Sequence, residues 1–95
     1  MNPLVRFALR MEVRFGGYDL SFRERRALVA QMTDEALANA ATVYGDLPRE
    51  YLVDRGETVA LGDGTLLKSI FAWISSPEGQ AFIKFIISLF IGAMI

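Results

Sequence analysis

Gly79-Gln-Ala-Phe-Ile-Lys-Phe-Ile-Ile-Ser-Leu-Phe-Ile-Gly-Ala-Met-Ile95 carries a single charged side chain, Lys84, in seventeen residues. Water solvates such a segment poorly, so it is expected in a core, against a neighbouring subunit, or in lipid. As a helix it measures about 25 Å, somewhat short of the ~30 Å hydrocarbon layer of a bilayer. Phe82, Ile83, Phe85, Ile86, Ile87, Leu89, Phe90 and Ile91 are the residues of a candidate membrane anchor. Lys84, in the second turn, has a stem long enough to return its ammonium group to the headgroups. Gln80, Lys84, Ser88 and Gly92 recur at every fourth position, and Ser88 with Gly92 forms a small-residue pair suited to close helix packing inside lipid. The competing reading makes that seam the solvent side of a helix in a soluble oligomer. A solvated seam usually carries more charge than one lysine, which favours lipid or a dry subunit interface.

Working upstream, Ser75-Ser76-Pro77-Glu78 is a helix start in either of two registers. Ser76 is followed by Pro at the first helical position, and Ser75 pairs with Glu78 as a capping box. Before it, Leu66–Ile74 is a second apolar run, with Trp73 placed at an interfacial depth if the segment meets a membrane. Three placements of residues 65–95 therefore compete: a short tail anchor, a kinked helix using both runs, and a shallow helical hairpin.

The central segment is expected to be one helix from Phe22 to Tyr44. Ser21 and Glu24 form a capping box, and Gly45 is a C-terminal stop. Leu28, Val29, Met32, Ala36, Leu37, Ala40, Ala41 and Val43 mark its apolar face. Residues 2–17 support two readings. Asn2 as N-cap, Pro3 at the first position and Gly16-Gly17 as a stop favour a helix with Leu4, Phe7, Ala8, Met11 and Phe15 as its apolar stripe. The alternation of Val5, Phe7, Leu9, Met11, Val13 and Phe15 with polar or small residues suits a lone strand that pairs with another chain.

The fold class expected is thus mainly α, a small helical protein with a C-terminal hydrophobic, membrane-anchor-like helix. Its divisions are a basic N-terminal segment (1–20), a central helix (21–45), an acidic connector (46–64) and an apolar helical tail (65–95). In the connector, Asp46-Leu47-Pro48 breaks the helix and residues 49–55 suggest a helical turn. Thr58–Leu61 is a weak strand signal before the Gly62-Asp63-Gly64 turn.

Charge follows the same divisions. Residues 1–26 hold six arginines against three acids, residues 27–64 two arginines against seven acids, and residues 65–95 two lysines against one acid. Arg6, Arg10, Arg14, Arg23, Arg25 and Arg26 form the basic surface, which suits anionic headgroups. With Phe7, Phe15, Tyr18 and Phe22 interleaved, it also offers a less favoured nucleic-acid patch. No cleavable secretory signal is expected at the N-terminus, because arginines interrupt the apolar run.

The sequence has no cysteine and no histidine, which removes disulfides and the commonest metal ligand and general base. The acids show no paired spacing for acid–base work, and Ser and Thr hydroxyls lack their ordinary histidine partner. Catalytic residues, metal ligands and cofactors are therefore expected to be none. The expected function is that of a minor structural protein linking a protein assembly to a membrane through its C-terminal helix. Its partners would be the lipid bilayer and other protein subunits, in a homo- or hetero-oligomer. A membrane-containing virus particle or an accessory subunit of a membrane complex is a fitting setting. The alternatives are a small pore-forming or lysis-type membrane protein and a soluble homo-oligomeric interaction module.

Overall fold

A computed structural model describes residues 1–52 and 65–94 of the chain. Every element among them is helical: α1 (Pro3–Phe15), α2 (Phe22–Gln31), α3 (Asp34–Tyr44), α4 (Arg49–Leu52), α5 (Thr65–Ser75) and α6 (Pro77–Met94). The weak strand at 58–61 and the turn at 62–64 lie outside the described residues. α6 is the central rod. It touches α1, α2, α3 and α5, while α1 packs closely against both α5 and α2.

The N-terminal segment is a helix because its ends are chemically marked. The Asn2 side chain accepts from the Leu4 N–H at 2.8 Å, and Pro3 occupies the first turn, where its missing N–H costs nothing. The buried face of α1 is Val5, Ala8, Leu9 and Val13, not the expected stripe of Leu4, Phe7, Ala8, Met11 and Phe15. The rotation has a steric reason. Ala8 and the short β-branched Val5 and Val13 let neighbouring helices come close, whereas Phe7 and Phe15 on that face would hold them apart. Phe7 and Phe15 are left 48% and 71% exposed.

The expected continuous helix 22–44 is two helices. Met32 leaves the helical region (φ −81°, ψ 59°), and Thr33 caps α3 by accepting from the Ala36 N–H at 3.1 Å. Asp34 and Glu35 then lie at the positive end of the new helix. The break frees the Met32 carbonyl, to which Arg10 donates from Nε at 2.8 Å. It also redirects the apolar face. Leu28, Met32, Leu37, Ala40 and Ala41 are buried, and Val43 is 73% exposed. Gly45 closes α3 in the left-handed conformation (φ 80°), donating to the Ala41 carbonyl.

The join between α5 and α6 is built from backbone and side-chain bonds. The Ser76 hydroxyl accepts from the Gly79 N–H and itself donates to the Trp73 carbonyl, and Gln80 donates from Nε2 to the Ile74 carbonyl at 2.8 Å. Of the two expected registers Ser76 is the cap, since the Ser75 hydroxyl bonds back to Phe71. A Cβ at Gly79 would stand 2.0 Å from the Trp73 carbonyl oxygen, so only glycine allows this approach. Around the join, Trp73 meets Tyr51 edge-on at 5.4 Å between ring centres and Phe82 at 6.2 Å, while Tyr44 meets Phe82 at 5.1 Å and Phe85 at 5.2 Å.

The apolar tail is therefore interior. Phe82, Ile83 and Ile86 are wholly buried and Phe90 is 7% exposed, beside Ile70, Ile74, Leu9 and Leu37 in one cluster. No helix among the described residues is long and apolar enough to cross a membrane.

Candidate functional site

The six arginines of the expected basic surface separate into three groups with different work. Arg6 and Arg10 turn to the start of α3. Arg6 Nε lies 3.0 Å from Asp34 Oδ1, and Arg10 donates from Nη2 to the same oxygen at 2.6 Å. The Arg10 guanidinium holds the Asp34 carboxyl below the usual carboxylate range. Both arginines thus tie α1 to the α2–α3 break.

Arg25 belongs to the fold as well. Its guanidinium donates to the carbonyls of Val13 (3.0 Å), Arg14 (3.2 Å), Gly16 (2.7 Å), Tyr18 (2.7 Å) and Leu20 (3.2 Å). These include the last carbonyls of α1, which have no partner within the helix and carry the negative end of its dipole. Arg25 satisfies them and fixes the turn from α1 to α2. Gly16 permits that turn, because a Cβ there would lie 2.5 Å from the Glu12 carbonyl oxygen and 2.6 Å from the Tyr18 ring. Tyr18 folds back, donating to Glu12 Oε2 at 2.6 Å. Burial, reinforced by that bond, pushes its phenol far above its ordinary value.

Arg14, Arg23 and Arg26 remain, all exposed, and they make no ion pair among the described residues. The Arg25 tie brings the last turn of α1 against the first turn of α2, so these three surround Phe15 (71% exposed) and Phe22 (75% exposed). Arg14, Phe15, Phe22, Arg25 and Arg26 line one shallow groove, and Phe22, Arg23, Arg26 and Ala27 line a second. Three acids lie at this end: Glu12, which accepts from the Tyr18 hydroxyl and lines a pocket beside Phe15, the exposed Asp19 in the turn, and Glu24. The Glu24 carboxyl accepts from the Ser21 N–H at 2.8 Å, which lowers its pKa and commits it to the cap of α2. The result is a basic rim around two protruding phenyl rings.

The residues expected to anchor the chain divide otherwise. Phe82, Ile83, Ile86 and Phe90 form the core; Phe85, Ile87 and Ile91 are half-buried; Leu89 is 44% exposed. Lys84, Ser88 and Gly92 face outward on α6, and a Cβ on Gly92 would meet nothing within 4 Å. Ser88 and Gly92 thus point away from the described helices of their own chain. Trp73 is half-buried in the aromatic cluster and not at an open interface.

Sequence reasoning placed all six arginines on one surface and missed that Arg25 is a cap. Its targets lie five to twelve residues away across a turn, a spacing that no helical or strand period reveals. The exposed pair was legible only in part: Phe15 and Phe22 are among the rings interleaved with the arginines, but Phe15 also falls in the apolar stripe expected of the first helix. Among the described residues there is no group of three or more acids placed to hold a metal ion. Comparison with protein-family models, curated protein sequences and solved structures finds no match.

Proposed function

We propose that the chain is a non-enzymatic structural protein that holds a protein assembly against an anionic membrane surface. It docks through Arg14, Phe15, Phe22, Arg23 and Arg26. The observation that carries this reading is the pair of phenylalanines left 71% and 75% exposed inside a rim of three arginines that make no ion pair among the described residues. An isolated exposed apolar residue is ordinary, but two adjacent rings framed by like charge mark a contact surface. The magnitudes favour a lipid interface. Each arginine near an anionic surface contributes about 1 kcal/mol, so three charges alone bind weakly. Each phenyl ring moved into the acyl boundary adds up to about 2 kcal/mol. Charge brings the surface in, and the rings hold it in the headgroup layer. Single-stranded nucleic acid could stack on the same rings, but it would draw on the arginines for most of its affinity, and of the six arginines in residues 1–26 three are committed to internal bonds.

Flotation of the full chain with vesicles tests the reading. Binding to phosphatidylglycerol–phosphatidylcholine vesicles, weakened by salt and absent with phosphatidylcholine alone, is the expected outcome. Failure to float with anionic vesicles contradicts it, as does tighter capture by a single-stranded oligonucleotide than by the vesicles.

A further inference from the structure

The bonds that hold this molecule together are unevenly distributed. Within α1, α2 and α3 the ties are polar and ionic: Arg10 to Asp34 and to the Met32 carbonyl, Arg6 to Asp34, and Arg25 to five carbonyls. Within the α5–α6 hairpin the join is hydrogen-bonded as well: Ser76 donates to the Trp73 carbonyl and accepts from the Gly79 N–H, and Gln80 donates to the Ile74 carbonyl. Between the two groups the described contact is apolar: Leu9, Leu28 and Leu37 share one buried cluster with Ile70, Ile74, Phe82, Ile83 and Ile86, and Tyr44 pairs its ring with Phe82 and Phe85. Among the described residues the polar approach across this seam is that of the Tyr18 hydroxyl to Gln80 Oε1, at 3.3 Å, while the hydroxyl's one proton is donated to Glu12 at 2.6 Å.

Hydrocarbon replaces apolar contacts well and replaces hydrogen bonds badly. In a membrane, therefore, the seam of lowest cost lies between the α1–α3 coat and the hairpin. Once turned outward, the hairpin would be amphipathic. Ile70, Ile74, Phe82, Ile83, Ile86 and Phe90 lie on the side now buried, while Lys68, Ser69, Lys84 and Ser88 lie on the exposed side. Its charged residues from 65 to 94 are Lys68, Glu78 and Lys84. That pattern suits a helix pair lying in the headgroup plane, with lysines up among the phosphates and the apolar side down.

We infer that α5–α6 is a stored membrane-inserting hairpin. After Arg14, Phe15, Phe22, Arg23 and Arg26 dock, it parts from the α1–α3 coat as a unit and lies shallowly in the bilayer interface. This inference rests on the docking reading above. The partner is the bilayer itself, and the α1–α3 coat keeps its own polar ties throughout.

Trp73, the single tryptophan, reports the event in the full chain. It is now shielded by Tyr51 and Phe82. Vesicles of phosphatidylglycerol with brominated phosphatidylcholine quench an indole that enters the acyl boundary. The expected result is loss of most Trp73 emission on anionic brominated vesicles, and none on unbrominated ones. A Tyr18→Cys/Gln80→Cys double variant, bridged by a short bis-maleimide across the seam, should still float but keep its emission; the same variant left unbridged should be quenched. Flotation of the unmodified chain with Trp73 unquenched overturns the stored hairpin and leaves the docking reading standing. Equal quenching of bridged and unbridged chains likewise overturns it, since the seam would then not be what opens. No flotation at all overturns both.

Discussion

Two apolar regions of this chain meet opposite fates. Phe82, Ile83 and Ile86 on α6 are wholly buried, while Phe15 and Phe22, at the junction of α1 and α2, stand 71% and 75% exposed. By composition the order should be reversed, because α6 belongs to the stretch that looks made for lipid, whereas Phe15 and Phe22 are flanked by arginines. The difference lies in what each region can be covered with. α6 offers a continuous apolar side that four other helices wrap. Phe15 and Phe22 lie where Arg25 must reach five carbonyls to close the turn, and burying the rings there would bury Arg14, Arg23 and Arg26 without partners. Apolar content alone therefore does not decide which rings are exposed; the neighbouring charges decide whether a ring goes in or stays out.

The comparison breaks most sharply at Phe82. Phe82→Ala removes a fully buried ring from the aromatic cluster and should cost about 3–5 kcal/mol in denaturant unfolding. A loss below about 1 kcal/mol would mean that α6 is not the core. Next, Gly79→Ala forces a methyl group toward the Trp73 carbonyl, a backbone atom that has little freedom to retreat. It should cost about 3 kcal/mol, at the upper end of overpacking penalties, read as a lowered unfolding midpoint. Arg25→Ala leaves the last carbonyls of α1 uncapped and should cost about 2 kcal/mol, with Arg25→Lys recovering part of the loss. Phe22→Ala is the counter-case. Its stability should stay within about 0.5 kcal/mol of the parent, while flotation with anionic vesicles falls.

The smallest effect concerns Asp34. Because Arg10 lowers its folded-state pKa, its stabilising contribution is fully present above the ordinary aspartate value of about 3.9. It is lost as pH falls through the lowered value. Stability should thus be flat with respect to this group near neutrality and decline in acid. Asp34→Asn should make that acid decline shallower in a pH series of unfolding midpoints.

Much of the local structure was legible. Asn2-Pro3, Ser21-Phe-Arg-Glu24, Gly45 and Ser76-Pro77 mark helix ends through short-range hydrogen bonding, which needs nothing from the rest of the chain. The break at Thr33 was also written there, as a capping hydroxyl followed by Asp34 and Glu35. The unbroken apolar periodicity through Leu28, Met32 and Ala36 concealed it. The facing of α1 was not legible. Two stripes one residue apart are both apolar, and the choice depends on how closely α5 and α6 can approach, a tertiary property. The division of the arginines failed for the same reason. Arg6, Arg10 and Arg25 are identical in type to Arg14, Arg23 and Arg26, and only the position of carbonyls and Asp34 in space tells them apart.

The central claim is that contact with the membrane begins at the arginine–phenylalanine end and not at the apolar tail. Flotation of an Arg14→Gln/Arg23→Gln/Arg26→Gln variant beside the parent chain tests it directly. These side chains make no internal ion pair among the described residues, so the variant should fold as the parent does and lose its binding to phosphatidylglycerol vesicles. A folded variant that floats as well as the parent would contradict the account.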